Sequence, residues 1–284
     1  MLYDLQDADN LAGYLSSIGY KTSAIHPAQK QNWRRDRVYG QLGFDAFYSE
    51  EHFEGAEMFR GMVSDGATYD LILELLAQDD SPQFIFDVTI AGHGGYDTGM
   101  IEEADTVHAP IDGTEHAELN EYLSCVKRAD EELGAFLDRL SELDRPVVVC
   151  FFGDHQPGFV DWLSQETHGR AGSDLSEIEL VQQRYVTPYM IWTNDEELRA
   201  ASGGPEVRDT SLNYLGAALP HAAGPPLDEY FAFTLAMRDD IPAINLNGYQ
   251  DAQGAWHWHG ESSASSDAYR QLSVVGHANL FEKE

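Results

Sequence analysis

Residues 146–157 read Pro-Val-Val-Val-Cys-Phe-Phe-Gly-Asp-His-Gln-Pro. The apolar run is β-branched and aromatic, with no polar alternation. It predicts a strand buried on both faces, as in a parallel sheet under helices. Such sheets place their chemistry just beyond the carboxyl ends of their strands. Asp154 and His155 stand there, after Gly153, which lets the chain turn. Neighbours on an extended strand face opposite ways, so both side chains reach one target only once the strand has ended. A carboxylate and an imidazole together suit a divalent metal. An Asp helix cap beside an exposed His is the other reading.

The segments around this run alternate between helix and strand periods. Residues 7–19 predict a helix with Leu11, Tyr14, Leu15 and Ile18 on one face and Gly19 as its stop. A short strand over 20–25 ends at His26-Pro27. Residues 21–37 then hold Lys21, Lys30, Arg34, Arg35 and Arg37, beside Trp33. Arg forks grip phosphate oxygens, so an anion site is one reading. A solvated basic loop paired to neighbouring acids is the other. Residues 51–66 read as irregular, 68–78 as a helix and 84–90 as a strand. His93 follows that strand among glycines, either as a structural His or as a second group past a strand end. Residues 118–143 form the longest helical pattern, running into the 147–152 strand as one α/β unit. Residues 161–184 are polar and read as a lid or an exposed loop.

Residues 185–193 predict another strand, nearer an edge because of Pro188. Helices follow over 210–219 and 228–237, then a small β-hairpin over 245–260. His257 and His259 alternate there, as a metal pair or as part of a surface aromatic hairpin. The pattern predicts an α/β fold, with a mixed, largely parallel sheet between helical layers.

Charge narrows the partners. The 284 residues hold 49 acidic and 17 basic side chains, a formal net charge of -32. That surface repels phosphate polymers and excludes nucleic acid as an expected partner. Hydrophobic content of 43% supports a real core. The 2 cysteines, Cys125 and Cys150, read as buried free thiols. No stretch approaches the ~20 apolar residues of a membrane span. The first nine residues show neither the basic nor the apolar region of a signal peptide.

Six pieces carry a family resemblance in one order. They are G-Y-x-T-x-x-I-H-P at 19–27, N-W-x-R-D at 32–36, L-G-F-D-x-F at 42–47, V-T-I-x-x-H-G-x-Y at 88–96, G-D-H-Q-P at 153–157 and Y-x-T-P-Y-x-I-W-x-N at 185–194. Together they resemble the lipoteichoic acid synthase and phosphoglycerol transferase group, in the sulfatase-like branch of the alkaline phosphatase superfamily.

The resemblance implies an alkaline phosphatase-like three-layer fold and an enzyme at the extracellular face of the cell membrane. Such an enzyme moves a glycerophosphate headgroup from phosphatidylglycerol through a phospho-threonine. Asp154 and His155 match metal ligands, with Mn2+ expected and Mg2+ or Zn2+ as alternatives. His26, Trp33 and Arg35 match the glycerophosphate pocket, and His93 matches the histidine near the transferred phosphoryl group. The partner implied is a glycerophosphate-containing lipid or polymer.

The family's Thr nucleophile and first strand precede the 19–27 motif and have no match here, nor do its membrane helices. The expectation is therefore a partial catalytic domain over 1–240, lacking its N-terminal strand, with a hairpin appendix over 241–284. It would be inactive alone and reach the membrane only through the missing segment. A non-catalytic glycerophosphate or teichoic-polymer binding domain, and a hydrolase of other phosphate or sulfate esters, are the alternatives.

Overall fold

The structure is a computed structural model that describes residues 8–169 and 175–282. The first residue of the expected N-terminal helix, and residues 170–174 of the expected lid, lie outside the described residues. The chain forms two compact units, Met1–Asp144 and Arg145–Glu284.

In the first unit, α1 (Leu11–Ser17) starts at Asn10, whose side chain accepts from the Gly13 amide at 2.9 Å. That bond satisfies one of the amides a helix start leaves open. Gly19, at φ +95°, ends the turn after it, as the sequence predicts. Then come β1 (Lys21–Ile25), α2 (Arg35–Gln41), β2 (Ala46–Tyr48), β3 (Met58–Phe59) and β4 (Met62–Val63). Next are α3 (Asp65–Gln78), β5 (Gln83–Asp87) and α4 (Ala117–Ser141). Ser64 caps α3 by accepting from the Ala67 amide at 3.2 Å.

The sheet of this unit has the order β2-β1-β5 and is parallel throughout. Ile25 lies opposite both Tyr48 and Asp87. Strand alternation sorts the side chains onto two faces. Phe84 and Phe86 meet Phe44, and Phe86 also meets Tyr39 of α2. On the opposite face Ile25 and Ile85 pack with Ala67, Leu71, Ile72 and Leu75 of α3. Full burial of Ile25 is worth about 2 kcal/mol. Helices therefore cover both faces, and all three strands end on one edge.

The second unit begins with β6 (Val148–Phe152), α5 (Val160–Ser164), α6 (Glu177–Gln182) and β7 (Tyr189–Thr193). It continues through α7 (Glu196–Ala201), α8 (Leu212–Ala223), α9 (Glu229–Met237), β8 (Gly248–Gln250), β9 (Trp256–Trp258) and α10 (Ser266–Phe281). β8 and β9 form the expected hairpin. β6 pairs antiparallel with β7, and every residue of both is only part-buried. This corrects the expectation of a doubly buried strand with parallel neighbours. The described residues give β6 one hydrogen-bonded neighbour, running the other way.

Helices α2, α5, α6, α7 and α10 were not foreseen, α5 and α6 because residues 161–184 read as a lid or loop. Arginines mask α2, where Tyr39 alone is buried. No residue of α10 is buried, so no apolar stripe announces it. Among the described residues, no helix is long and apolar enough to cross a membrane.

Candidate functional site

His26 follows β1 directly. Its amide donates to Tyr48 O at 2.9 Å, which extends the sheet by one residue and fixes the imidazole at 3% exposure. Nδ1 lies 2.8 Å from Val88 O, just past β5. A carbonyl there assigns the proton to Nδ1 and makes Nε2 the lone-pair nitrogen. Burial holds the pKa of His26 below 6.5, against the Val88 bond, and the nearby positive charges of Arg35 and His93 lower it further. Arg35 and His93 thus each lie within electrostatic reach of His26, where the parallel strands end.

Arg35 opens α2 after an unusual backbone. Trp33 and Arg34 have φ of 56° and 54°, in the left-handed region that L side chains resist. Strain of this kind persists where the surroundings impose it. Trp33 stands 86% exposed. The basic cluster divides. Lys21 pairs with Asp79, and Lys30 with Glu51 at 3.2 Å. Among the described residues Arg34, Arg35 and Arg37 form no ion pair with a carboxylate. The Arg side of the cluster fits an anion site, and the Lys side fits a paired surface.

In the second unit Asp154 and His155 follow β6. Asp154 Oδ1 accepts from the His155 amide at 2.8 Å, and Oδ2 lies 3.5 Å from His155 Nε2. Both side chains face the same space and are 74% and 71% exposed. Asp154 caps no helix, because α5 begins six residues later, after Phe159. Gly153 acts through close approach rather than through a left-handed turn. A Cβ there would sit 3.2 Å from Thr187 Cβ. The donors suit a divalent metal in kind. Among the described residues, however, no group of three or more His, Cys, Asp or Glu forms a metal site.

The remaining candidates resolve structurally. His257 Nε2 pairs with Asp251 Oδ2 at 2.7 Å, and His259 bonds Asn245 O and Tyr269 Oη at 2.8 and 3.0 Å. These imidazoles serve the hairpin. Cys125 and Cys150 are free thiols that burial pushes up to about 11.

Two features had escaped the sequence reading. Asp65 and Asp87 are carboxylates beneath the sheet, pushed up to about 6 and about 7 chiefly by burial. The signal for Asp87 was present, as the one charge in the Phe-Ile-Phe-Asp-Val run. Arg60, with a side chain wholly out of solvent, bonds Glu121 at 2.6 Å and had no sequence signal.

Parallel strands under helices, with His26 and His93 past their ends, put the candidate site at the carboxyl edge of an α/β sheet. The family described as Sulfatase matches residues 3–224, and the chain belongs to it.

It is 30% identical over 195 residues to a putative cyclic beta-1,2-glucan modification protein of Rhizobium meliloti, covering 65% of this chain and 29% of that protein. It is 26% identical over 145 residues to the lipoteichoic acid synthase of Staphylococcus saprophyticus, covering 48% and 21%. The chain thus spans less than a third of either relative.

Among solved structures it resembles the Streptococcus pyogenes phosphoglycerol transferase GacH in complex with sn-glycerol-1-phosphate. There the TM-score is 0.66, with 21% identity over 93% of this chain and 62% of that one. An alkaline phosphatase superfamily protein of Vibrio parahaemolyticus gives a TM-score of 0.60 at 16% identity, over 98% and 71%. The fold is the α/β fold of that superfamily.

Proposed function

We propose that the chain is the glycerophosphate-recognising part of a metal-dependent phosphoglycerol transferase acting on phosphatidylglycerol-type headgroups. The observation that carries this reading is Arg35, without a carboxylate partner among the described residues, within electrostatic reach of His26 just past the end of a parallel strand, as is His93. Arg35 holds two phosphate oxygens with its planar fork. Exposed Trp33 walls the glycerol, and His26, kept neutral, offers Nε2 to a hydroxyl. As the phosphorus–oxygen bond to the lipid breaks, His93 in its doubly protonated form gives the Nε2 proton to the departing alkoxide oxygen and keeps the Nδ1 proton.

A bound divalent cation, Mn2+ first and Mg2+ or Zn2+ as alternatives, would be held in part by Asp154 and His155 and would neutralise phosphoryl charge. The motifs include no match to the resemblance's Thr nucleophile, and the reaction belongs at the extracellular face of the membrane. The isolated chain then gives little or no transfer.

Calorimetry with sn-glycerol-1-phosphate tests the pocket. Binding heat is expected for the chain and is expected to vanish in Arg35→Ala. No heat, or heat unchanged by the substitution, overturns the assignment. The exposure of Asp154 and His155 favours one second reading, a non-catalytic domain that binds glycerophosphate or teichoic polymers through His26, Trp33 and Arg35. A phosphoglycerol-release assay that stays silent when the upstream segment is restored, with binding intact, selects it.

A further inference from the structure

The segment carrying His93 has no regular secondary structure over residues 91–95, yet each of its carbonyls has a partner. Arg60 Nη1 donates to Ala91 O at 3.1 Å and to His93 O at 3.2 Å, and Nη2 donates to Gly95 O at 3.1 Å. The Gly92 carbonyl accepts from Tyr96 Oη at 2.9 Å. The Gly94 carbonyl faces His93 Nδ1 at 3.3 Å. Every second carbonyl therefore turns toward one guanidinium. Of the two carbonyls left between them, Gly92 takes the Tyr96 hydroxyl and Gly94 meets the His93 ring.

Arg60 is itself held. Its Nε donates to Glu121 Oε1 of α4 at 2.6 Å, and its guanidinium carbon lies 5.2 Å from the centre of the Tyr96 ring. Glu121 also accepts from the Thr98 amide and the Thr98 hydroxyl, each at 2.7 Å. Burial pushes this carboxyl up, but the bonds from Thr98 and Arg60 outweigh it and hold it below the usual range.

The backbone at Arg60 adds an independent observation. Arg60 and Gly61 form the two-residue turn between β3 and β4, where Phe59 pairs with Met62, at φ of 51° and 73°. Such turns ordinarily take Asn or Asp before Gly. A long side chain in the left-handed region is strained. Here that conformation sends the side chain inward to the His93 segment.

We propose that Arg60 is the positioning residue for His93: by clamping the carbonyls of Ala91, His93 and Gly95 it fixes the imidazole and leaves Nε2 for the phosphoryl group. The catalytic meaning rests on the function proposed above, whereas the clamp does not. Lysine cannot replace it. A single ammonium has no planar fork to span three carbonyls.

The test is NMR of the purified chain, comparing wild type with Arg60→Lys and Tyr96→Phe. It reads the two ring nitrogens of His93 with and without sn-glycerol-1-phosphate, and the exchange of the His93 and Thr98 amides. Wild type is expected to show one ring tautomer and slow exchange. Arg60→Lys is expected to keep Arg35-dependent binding, to mix the His93 tautomers and to speed both amides by about tenfold or more. Tyr96→Phe, which removes the donor to the Gly92 carbonyl and leaves the Arg60 bonds in place, is expected to change exchange less than threefold, on the order of one weak hydrogen bond.

If Arg60→Lys does not fold, Glu121→Gln takes its place, with the same changes in smaller degree. His93 signals and exchange rates that match wild type overturn the clamp. A clamp that behaves as expected, around a His93 that never responds to the ligand, overturns the function instead.

Discussion

Asp87 gives a stability prediction that can be worked through from its surroundings. Its Oδ2 accepts from Thr68 Oγ1 at 2.5 Å, while Oδ1 is sequestered from solvent without a hydrogen-bond partner. Although the residue as a whole is only part-buried, Oδ1 is not in water. Burial raises the pKa from 3.8 to about 7; the Thr68 bond opposes this and the Asp65 charge adds to it.

A carboxyl raised in the folded state binds its proton there more tightly than in the unfolded chain. Its contribution is therefore most favourable below the unfolded value and is lost as pH rises through the folded one. The gap between about 7 and 3.8 corresponds to about 4 kcal/mol above neutrality.

Asp87→Asn removes the ionisation and keeps an acceptor for Thr68. Its amide needs a new acceptor and loses back about 1 kcal/mol if none is found. Relative to wild type, the variant should gain about 2–3 kcal/mol more at about pH 8.5 than at about pH 5. Taking the difference cancels the global charge of -32, which also changes with pH. Urea unfolding should be followed by the amides of β1 and β5, since two compact units need not melt together. With a urea slope of about 2 kcal/mol/M, the midpoint separation should widen by about 1–1.5 M between the two conditions. A separation that is constant with pH, or an Asn variant that is less stable at high pH, refutes the burial argument.

Two further outcomes follow from single sites. His26 should titrate below 6.5 in a proton–carbon NMR series, because burial disfavours its charged form. Its contribution to stability runs opposite to that of Asp87 and is lost as pH falls below the ordinary His value. Asp251→Ala should cost the second unit about 2–3 kcal/mol in urea. It removes acceptors for the Gln253 and Ala255 amides and for His257 at once. A loss below about half of that would show that water replaces those bonds.

Local signals fixed much of this protein before any coordinates. Asn10 and Gly19 bound α1, the apolar runs gave β5 and β6, and the ordered motifs named the family. Spacing alone placed His26, His93, Asp154 and His155 after strand ends, because a strand end is a local event written in neighbouring residues.

Sequence left undecided whether Arg35 would be paired away, and it did not foresee α2, α10, or the antiparallel course of β6 beside β7. Those depend on which distant segment lies alongside, so the deciding groups are tens of residues off. The same holds for the burial that shifts Asp65 and Asp87, and for Arg60 meeting the carbonyls of residues 91–95 across a turn and a helix. A single arginine in a polar stretch reads as surface. Only the folded chain, by removing water and leaving carbonyls to be satisfied, makes it part of the site.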